Sequence, residues 1–424
     1  MTSPITLDFT PKSDFMKIAV ERGFYYQCSD AKGLDERMSQ GPITGYIGFD
    51  CTAPSFHIGN LVQIMRLYWL QQTGHQPIAL IGGATTKVGD PSGKDKTRSI
   101  MTQEQVDKNA ASLKQTFRKF IDFDAAENPA LMLDNDEWTR NVLYVDFLRD
   151  IGSKFSVNRL LALETARARL EREQELSFIE FNYTLLQSHD FLKLREKYNS
   201  VLQMGGSDQW GNIISGVDLC RRFGFDDTFA LTCHLITTAD GKKMGKTADG
   251  AVWLNADMLS PYDYWQYWRN VQDSDVARFM RLFTPVALDE IARIETLEGG
   301  EINDAKILLA NEATTMLHGR AAAQEAAGAA QGVFRDNKYS KGAPQTEVTL
   351  EALKAGVRLQ DFMLEIGLVP SKKEGRRLMD GNAIKVNDVP VPEYDKVLSP
   401  DDLQDDMIKI SKGRKSHHFI KVVG

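Results

Sequence analysis

The sequence is short of the features that mark several protein classes. Its 424 residues hold only four cysteines, Cys28, Cys51, Cys220 and Cys233, with no paired close spacing. That usage indicates neither a zinc cluster nor a disulfide scaffold, and it suits a reducing, cytoplasmic compartment. No run of about 18 apolar residues is present to span a bilayer. Residues 1–14 lack an apolar core and arginine enrichment, so neither a signal nor a transit peptide is expected. Positive charge is not in excess: 51 Lys and Arg against 58 Asp and Glu give a formal net charge of −7. This balance argues against indiscriminate binding to nucleic acid and leaves room for a local basic patch. What remains is an ordinary soluble composition, 42% apolar and 26% charged, long enough for about three domains.

The chain is organised around Gly45-Tyr46-Ile47-Gly48-Phe49-Asp50-Cys51-Thr52-Ala53-Pro54-Ser55-Phe56-His57-Ile58-Gly59-Asn60-Leu61. Ile43, Tyr46, Ile47 and Phe49 predict a buried strand, which Asp50 and Thr52 stop. Ile58, Leu61, Val62, Met65 and Trp69 then share one helical face. His57, Gly59 and Asn60 therefore fall in a first helical turn just beyond a strand's carboxyl end, where free amides and the helix dipole favour an anion. Ile78-Ala79-Leu80-Ile81 reads as a second strand, followed by the glycine-dense residues 82–94. Such a stretch serves either a close backbone approach to a ligand or a long surface turn, and its Gly-Lys pair does not make a Walker A motif. Val201-Leu202-Gln203-Met204 repeats the pattern, running into Gly205-Gly206-Ser207-Asp208-Gln209-Trp210-Gly211-Asn212 and a helix. Strand, glycine turn and helix start suit ligand binding at the carboxyl edge of an open α/β sheet.

Tyr183, Gln187 and Asp190, spaced by four and then three, project from one side of a helix. Lys242-Lys243-Met244-Gly245-Lys246-Thr247 places three lysines between glycines, which describes either an exposed turn or a loop able to clamp phosphates. Thr102 and Gln105 make a capping box, after which Val106, Ala110, Leu113, Phe117 and Phe120 mark a buried stripe. Residues 158–175 interleave Arg159, Arg167, Arg169 and Arg172 with glutamates, the pattern of a solvated, ion-paired helix face.

His57-Ile58-Gly59-Asn60 resembles the His-Ile-Gly-His motif of class I aminoacyl-tRNA synthetases, and Lys243-Met244-Gly245-Lys246-Thr247 resembles their Lys-Met-Ser-Lys-Ser loop. The runs 178–190 and 205–212 narrow the resemblance to the bacterial-type tyrosyl-tRNA synthetase family. It implies a Rossmann-like parallel-sheet catalytic domain that activates L-tyrosine with ATP and transfers it to the 3′ terminal adenosine of tRNA(Tyr). It also implies, residue by residue, a tyrosine site of Tyr46, Asp90, Asn135, Tyr183, Gln187, Asp190, Gln203 and Gln209. Gly48, Asp50, His57, Gly59, Asn60, Gly206, Asp208, Lys243 and Lys246 would bind ATP. Thr52, His57, Asn60, Lys94, Arg98, Lys243 and Lys246 would stabilise the transferring phosphate, with Mg²⁺ carried on the phosphates and no protein-bound metal. Asn60 replaces the second histidine, Gly245 the usual serine and Cys51 a common proline. A synthetase for another aromatic amino acid is opposed by Tyr46 and Asp190. An RNA-binding protein on a retired nucleotide-binding fold is opposed by the intact phosphate and tyrosine residues.

From residue 260 onward strand signals fade. The catalytic part is expected over 1–258, a helical tRNA-binding domain over 259–335, a linker over 336–349 and a small unit over 350–424. The alanine-rich residues 320–332 are expected to give little burial. In the last unit, basic residues cluster at Lys372, Lys373, Arg376 and Arg377 and again at Lys412, Arg414 and Lys415. This unit resembles the ribosomal-protein-type RNA-binding domain appended to the family, in which phosphate contacts would supply affinity. Family likeness further implies a homodimer and no membrane association.

Overall fold

The apolar runs separate strands that stack side by side, and the amphipathic stretches between them cover the resulting sheet. A computed structural model describes residues 7–92, 101–237, 244, 246–247, 250–335, 344–404, 406–413 and 416–423. The strands β1 (Gln27–Cys28), β2 (Thr44–Phe49), β3 (Gln76–Ile81), β4 (Leu131–Asp134), β5 (Ser200–Gly206) and β6 (Phe229–Cys233) form one sheet of order β1-β6-β5-β2-β3-β4. All neighbours are parallel except the edge pair β1 and β6. Chain order reverses direction between β2 and β5, which makes their carboxyl ends the expected ligand crevice of a Rossmann-like sheet.

Helix α1 (Ile58–Gln72) starts at His57, whose Nδ1 accepts from the Gly59 amide at 3.0 Å, while Asn60 Oδ1 accepts from the His57 amide at 3.2 Å. The two side chains thus form a reciprocal cap. Helix α2 (Gln103–Phe117) starts at the Thr102–Gln105 box read from the sequence. Helix α3 (Tyr183–Tyr198) ends where Asn199 takes a left-handed φ of 53°. It packs on α4 (Trp210–Arg222), and Phe191, Leu192, Leu194, Ile213, Val217 and Leu219 bury a core with Tyr46 and Ile78.

Two expectations differ here. Strand β5 runs two residues further than Met204, because Gly205 and Gly206 stay in register with Thr232 and Cys233 of β6. Residues 158–175 break into Val157–Leu161 and Glu164–Glu171, and Arg169 leaves the solvated face altogether. It is buried, donating to the Glu175 carbonyl at 2.7 Å and facing Glu180 Oε1 at 3.4 Å.

The chain divides into two compact units, the first of residues 1–246, 251–258 and 271–305, the second of residues 247–250, 259–270 and 306–424. Helices Val276–Phe283 and Leu288–Ile294 complete the first. In the second, α5 (Pro261–Arg269) lies against α7 (Arg320–Arg335), and α6 (Ile302–His318) supplies Asn311, whose Oδ1 accepts from Trp265 Nε1 at 2.8 Å. The expectation of little burial along the alanine-rich segment is corrected. Ala323, Ala326, Ala329 and Ala330 are all buried, because small side chains admit the aromatic helix α5, with its buried Tyr264, Trp265 and Trp268.

At the carboxyl end, β7 (Gln345–Thr349), α8 (Leu359–Glu365), α9 (Lys372–Asp380), β8 (Ile384–Val386), β9 (Val389–Pro390), β10 (Met407–Lys412) and β11 (Ser416–Val423) build a second sheet of order β9-β8-β10-β11-β7. Strand β7, read as part of a linker, pairs in parallel with β11 from Phe419 to Val423. Leu359, Phe362, Met363, Met379, Ile384, Ile408, Ile410 and Ile420 fill its core.

Candidate active site at the carboxyl ends of β2 and β5

Tyr46 and Gln203 are register partners on the two strands that flank the crevice. Both are buried, and neither the Tyr46 hydroxyl nor Gln203 Oε1 has a hydrogen-bond partner among the described residues. Two orphaned polar groups side by side in a core are costly unless something polar meets them. Asp190, from the second turn of α3, stands beside them at 3% exposure. Its Oδ2 accepts from Asn135 Nδ2 at 2.9 Å and its Oδ1 from Trp138 Nε1 at 2.8 Å. Burial pushes the Asp190 carboxyl up to about 7, against the two donors that favour its charged form. Burial, then the nearby Asp190 charge, likewise raises the Tyr46 phenol well above its ordinary range. The cluster thus sets an unpartnered hydroxyl and amide oxygen near a buried carboxyl.

On the outward side of this cluster the charge is negative. The Tyr183 hydroxyl donates toward both oxygens of Asp50 at 3.3 Å, and burial, then Asp50, Asp90 and Asp190, raises its phenol. Asp90 accepts from the Ser92 amide at 2.9 Å and from Gln209 Nε2 at 2.7 Å. Gln187 lies one turn along α3 from Tyr183 and is half-buried. Convergent carboxylates of this kind attract a cation such as an ammonium group.

Glycines lie at the carboxyl ends of β2 and β5. A side chain at Gly48 would meet nothing within 4 Å, whereas one at Gly206 would strike Asp208 Oδ1 at 2.6 Å. A cleft of about 260 Å³ runs past Ser92, Ser207, Asp208 and Asn212. His57, accepting at Nδ1, keeps Nε2 as a donor, and Thr52 is exposed. The Ile58 amide donates to the Val252 carbonyl and the Leu254 amide to the Phe56 carbonyl, each at 2.9 Å. A Cβ on Gly59 would come within 3.1 Å of the Met244 carbonyl. The first motif and Met244 of the lysine loop are therefore in direct contact, and glycine is the residue that permits it.

The structure brings together Tyr46, Asn135, Asp190 and Gln203 as one group, and Asp50, Asp90, Tyr183 and Gln209 as another. Lys94, Arg98, Lys243, Gly245, Arg414 and Lys415 lie outside the described residues; Lys246 belongs to a two-residue strand, Lys246–Thr247. In the second unit Lys372 pairs with Asp361, Arg377 forks onto Glu374 at 2.6 and 2.9 Å, Arg376 lies 5.8 Å from the Tyr394 ring, and Lys373 is exposed. Sequence reasoning missed Trp138 and Thr85, which donate to Asp190 and Asp50. Trp138 stands three residues after Asn135 at a helix start, and nothing in the sequence marks its indole as a donor to Asp190. Among the described residues no group of His, Cys, Asp and Glu could hold a metal ion, and no helix is long and apolar enough to cross a membrane.

Comparison with known proteins identifies the family. The family described as "tRNA synthetases class I (W and Y)" matches residues 38–335, and "Tyrosine--tRNA ligase SYY-like C-terminal domain" matches residues 337–420. A tyrosine–tRNA ligase of Methylocella silvestris is 52% identical over 416 residues, covering 98% of this chain and 99% of that protein. One from Brucella abortus is 51% identical over 411 residues, covering 97% and 99%. Among solved structures, a C-terminally truncated mitochondrial tyrosyl-tRNA synthetase of Aspergillus nidulans superposes with a TM-score of 0.69 at 27% identity, covering 76% of this chain and 95% of that one. The chain belongs to the bacterial-type tyrosine–tRNA ligases of class I.

Proposed function

We propose that the crevice between β2 and β5 carries out both half-reactions of this ATP-dependent ligase, which joins tyrosine to tRNA(Tyr). The observation that carries the reading is the orphaned pair, Tyr46 hydroxyl and Gln203 Oε1, beside Asp190. A tyrosine phenol would donate to Asp190 and accept from Tyr46, so phenylalanine would leave buried polar groups unpaired. Asp90, Tyr183 and Gln187 would hold the α-ammonium group, and Gln209, bonded to Asp90, would lie by the carboxylate.

The tyrosine carboxylate is already a nucleophile. Its oxygen forms a bond to the α-phosphorus of ATP as the bond to pyrophosphate breaks, and no proton needs to move. The protein's part is orientation and charge stabilisation at the pentavalent phosphorus. Asp208 would bind the ribose, and Thr52, His57, Asn60, Lys94, Arg98, Lys243 and Lys246 the phosphates, with Mg²⁺ entering on the nucleotide. In the second step a ribose hydroxyl of the terminal adenosine attacks the adenylate carbonyl. AMP leaves, and the hydroxyl proton departs with it. The basic residues Lys372, Lys373, Arg376, Arg377, Lys412, Arg414 and Lys415 would bind tRNA phosphates. Limits at 258 and 335 would close the catalytic and helical domains, and the pairing of β7 with β11 supports assigning residues 345–349 to the last unit instead of a linker. A homodimer is supported by exposed Leu143, Tyr144, Val145, Val157 and Phe178 in the first unit, and light scattering should give the mass of two chains. A cytoplasmic location fits the cysteine usage.

Exchange of labelled pyrophosphate into ATP, without tRNA, tests the reading across tyrosine, phenylalanine and tryptophan. Exchange with tyrosine alone is expected. Equal exchange with phenylalanine would remove the assignment of Tyr46 and Asp190.

A further inference from the structure

Helix α1 buries a largely apolar face that includes one charged side chain. Arg66, between Met65 and Leu67, is 0% exposed. Its Nη1 donates to the Gly205 carbonyl at 2.8 Å and to Gln63 Oε1 at 3.1 Å, and its Nη2 donates to the Leu231 carbonyl at 2.9 Å. No carboxylate takes its charge among the described residues, and Nε has no partner there. A buried guanidinium held by carbonyl and amide oxygens and the neighbouring Cys233 side chain, with no carboxylate among the described residues, is expensive to desolvate, and a methionine would occupy comparable space at lower cost. Packing therefore does not account for it.

What Arg66 grips is specific. Gly205 and Gly206 end β5, and Asp208 follows in the next turn. Leu231 is the β6 partner of Met204, and Cys233 the partner of Gly206. Gln63, one turn earlier on the same face of α1, donates to Cys233 Sγ at 3.3 Å. Arg66 and Gln63 thus fasten the carboxyl ends of β5 and β6 where the chain leaves the sheet toward Asp208. The turn is wound so tightly that a Cβ at Gly206 would sit 2.6 Å from Asp208 Oδ1, so the carboxylate follows the backbone that Arg66 fixes.

We infer that Arg66 is a positioning residue for the nucleotide: by fixing the Gly205 carbonyl it holds the turn that presents Asp208 to the ATP ribose. This rests on the reading of Asp208 given above.

The test is tyrosine-dependent pyrophosphate exchange with ATP, 2′-deoxy-ATP and 3′-deoxy-ATP, for the wild type, Arg66→Met, Arg66→Lys and Asp208→Asn. Asp208→Asn identifies which hydroxyl preference the carboxylate controls. Arg66→Met is expected to raise KM for ATP by roughly tenfold or more and to reduce that same preference, with a smaller change in tyrosine affinity in equilibrium titration, since Gln209 shares the turn. Arg66→Lys should fall between them, since an ammonium group cannot fork onto two carbonyls as a guanidinium does; it carries the comparison if the methionine variant does not fold. A wild-type hydroxyl preference in the Arg66 variants, with Asp208→Asn reducing it, overturns the inference and leaves Asp208 standing. No loss of preference in Asp208→Asn would sink the ribose reading, and the inference with it.

Discussion

Asp190 is held between opposing effects. Burial favours its neutral form, and the donors Asn135 and Trp138 favour the carboxylate, leaving it at about 7 instead of 3.8. The sign of the linkage follows. Between those values the folded protein keeps a proton that the unfolded chain has released, so stability falls as pH rises through this window and levels off above it. Chemical denaturation of the unliganded protein should show this slope, and Asp190→Asn should lack it. Tyrosine, whose phenol donates to the charged form, should bind more weakly as pH drops below about 7, by roughly tenfold per unit once the carboxyl is mostly protonated. Titration at pH 8 and pH 6 checks this, and an equal affinity at both would remove the phenol contact. Tyr183, Gln187 and Asp190 were legible in the sequence because helical spacing fixes which residues share a side. Trp138 was not, since an indole at a helix start reads as core until the carboxylate it meets, 52 positions away, is known.

At the scale of elements, local rules carried far and failed where a distant partner decides. The shift in apolar period placed α1 in the sequence, while its start falls at the His57 cap, three residues beyond Pro54, and the structure adds why Asn60 works there. Its carbonyl closes the cap on His57, so the replaced histidine costs the helix nothing in hydrogen bonding. Arg169 shows the opposite case. Its neighbours in sequence describe a solvated face, yet Glu180, beyond the next turn, draws it inside. Arg169→Ala would leave the Glu180 charge buried without its partner and should cost about 3 kcal/mol or more. Denaturant unfolding measures this, and a change under about 0.5 kcal/mol would show the pair to be solvent-screened. The alanine-rich α7 was misjudged because burial depends on what approaches, and its aromatic partner α5 lies some 50 residues earlier in the chain.

Over the whole molecule, the order β1-β6-β5-β2-β3-β4 matters more than any single motif, because the change of direction between β2 and β5 opens the crevice. Strand–turn–helix units made that crevice foreseeable, whereas β7 was hidden in a polar segment whose pairing with β11 spans over 70 positions. The basic cluster on α9 belongs to the second unit, and the proposed reading gives it tRNA contact and no part in activation. Lys373→Glu with Arg376→Glu should raise KM for tRNA and reduce its salt dependence, leaving tyrosine-dependent pyrophosphate exchange as in the wild type. Loss of exchange in that variant would tie the cluster to the first step. The account depends most on the Tyr46 hydroxyl, which has no hydrogen-bond partner among the described residues. Equilibrium titration of tyrosine and of phenylalanine, against the wild type and Tyr46→Phe, tests it most directly. Removing an unpaired buried hydroxyl should leave stability unchanged or raised, while the preference for tyrosine narrows by roughly tenfold or more. A preference that Tyr46→Phe leaves intact would contradict the reading of this crevice as a phenol-recognising site.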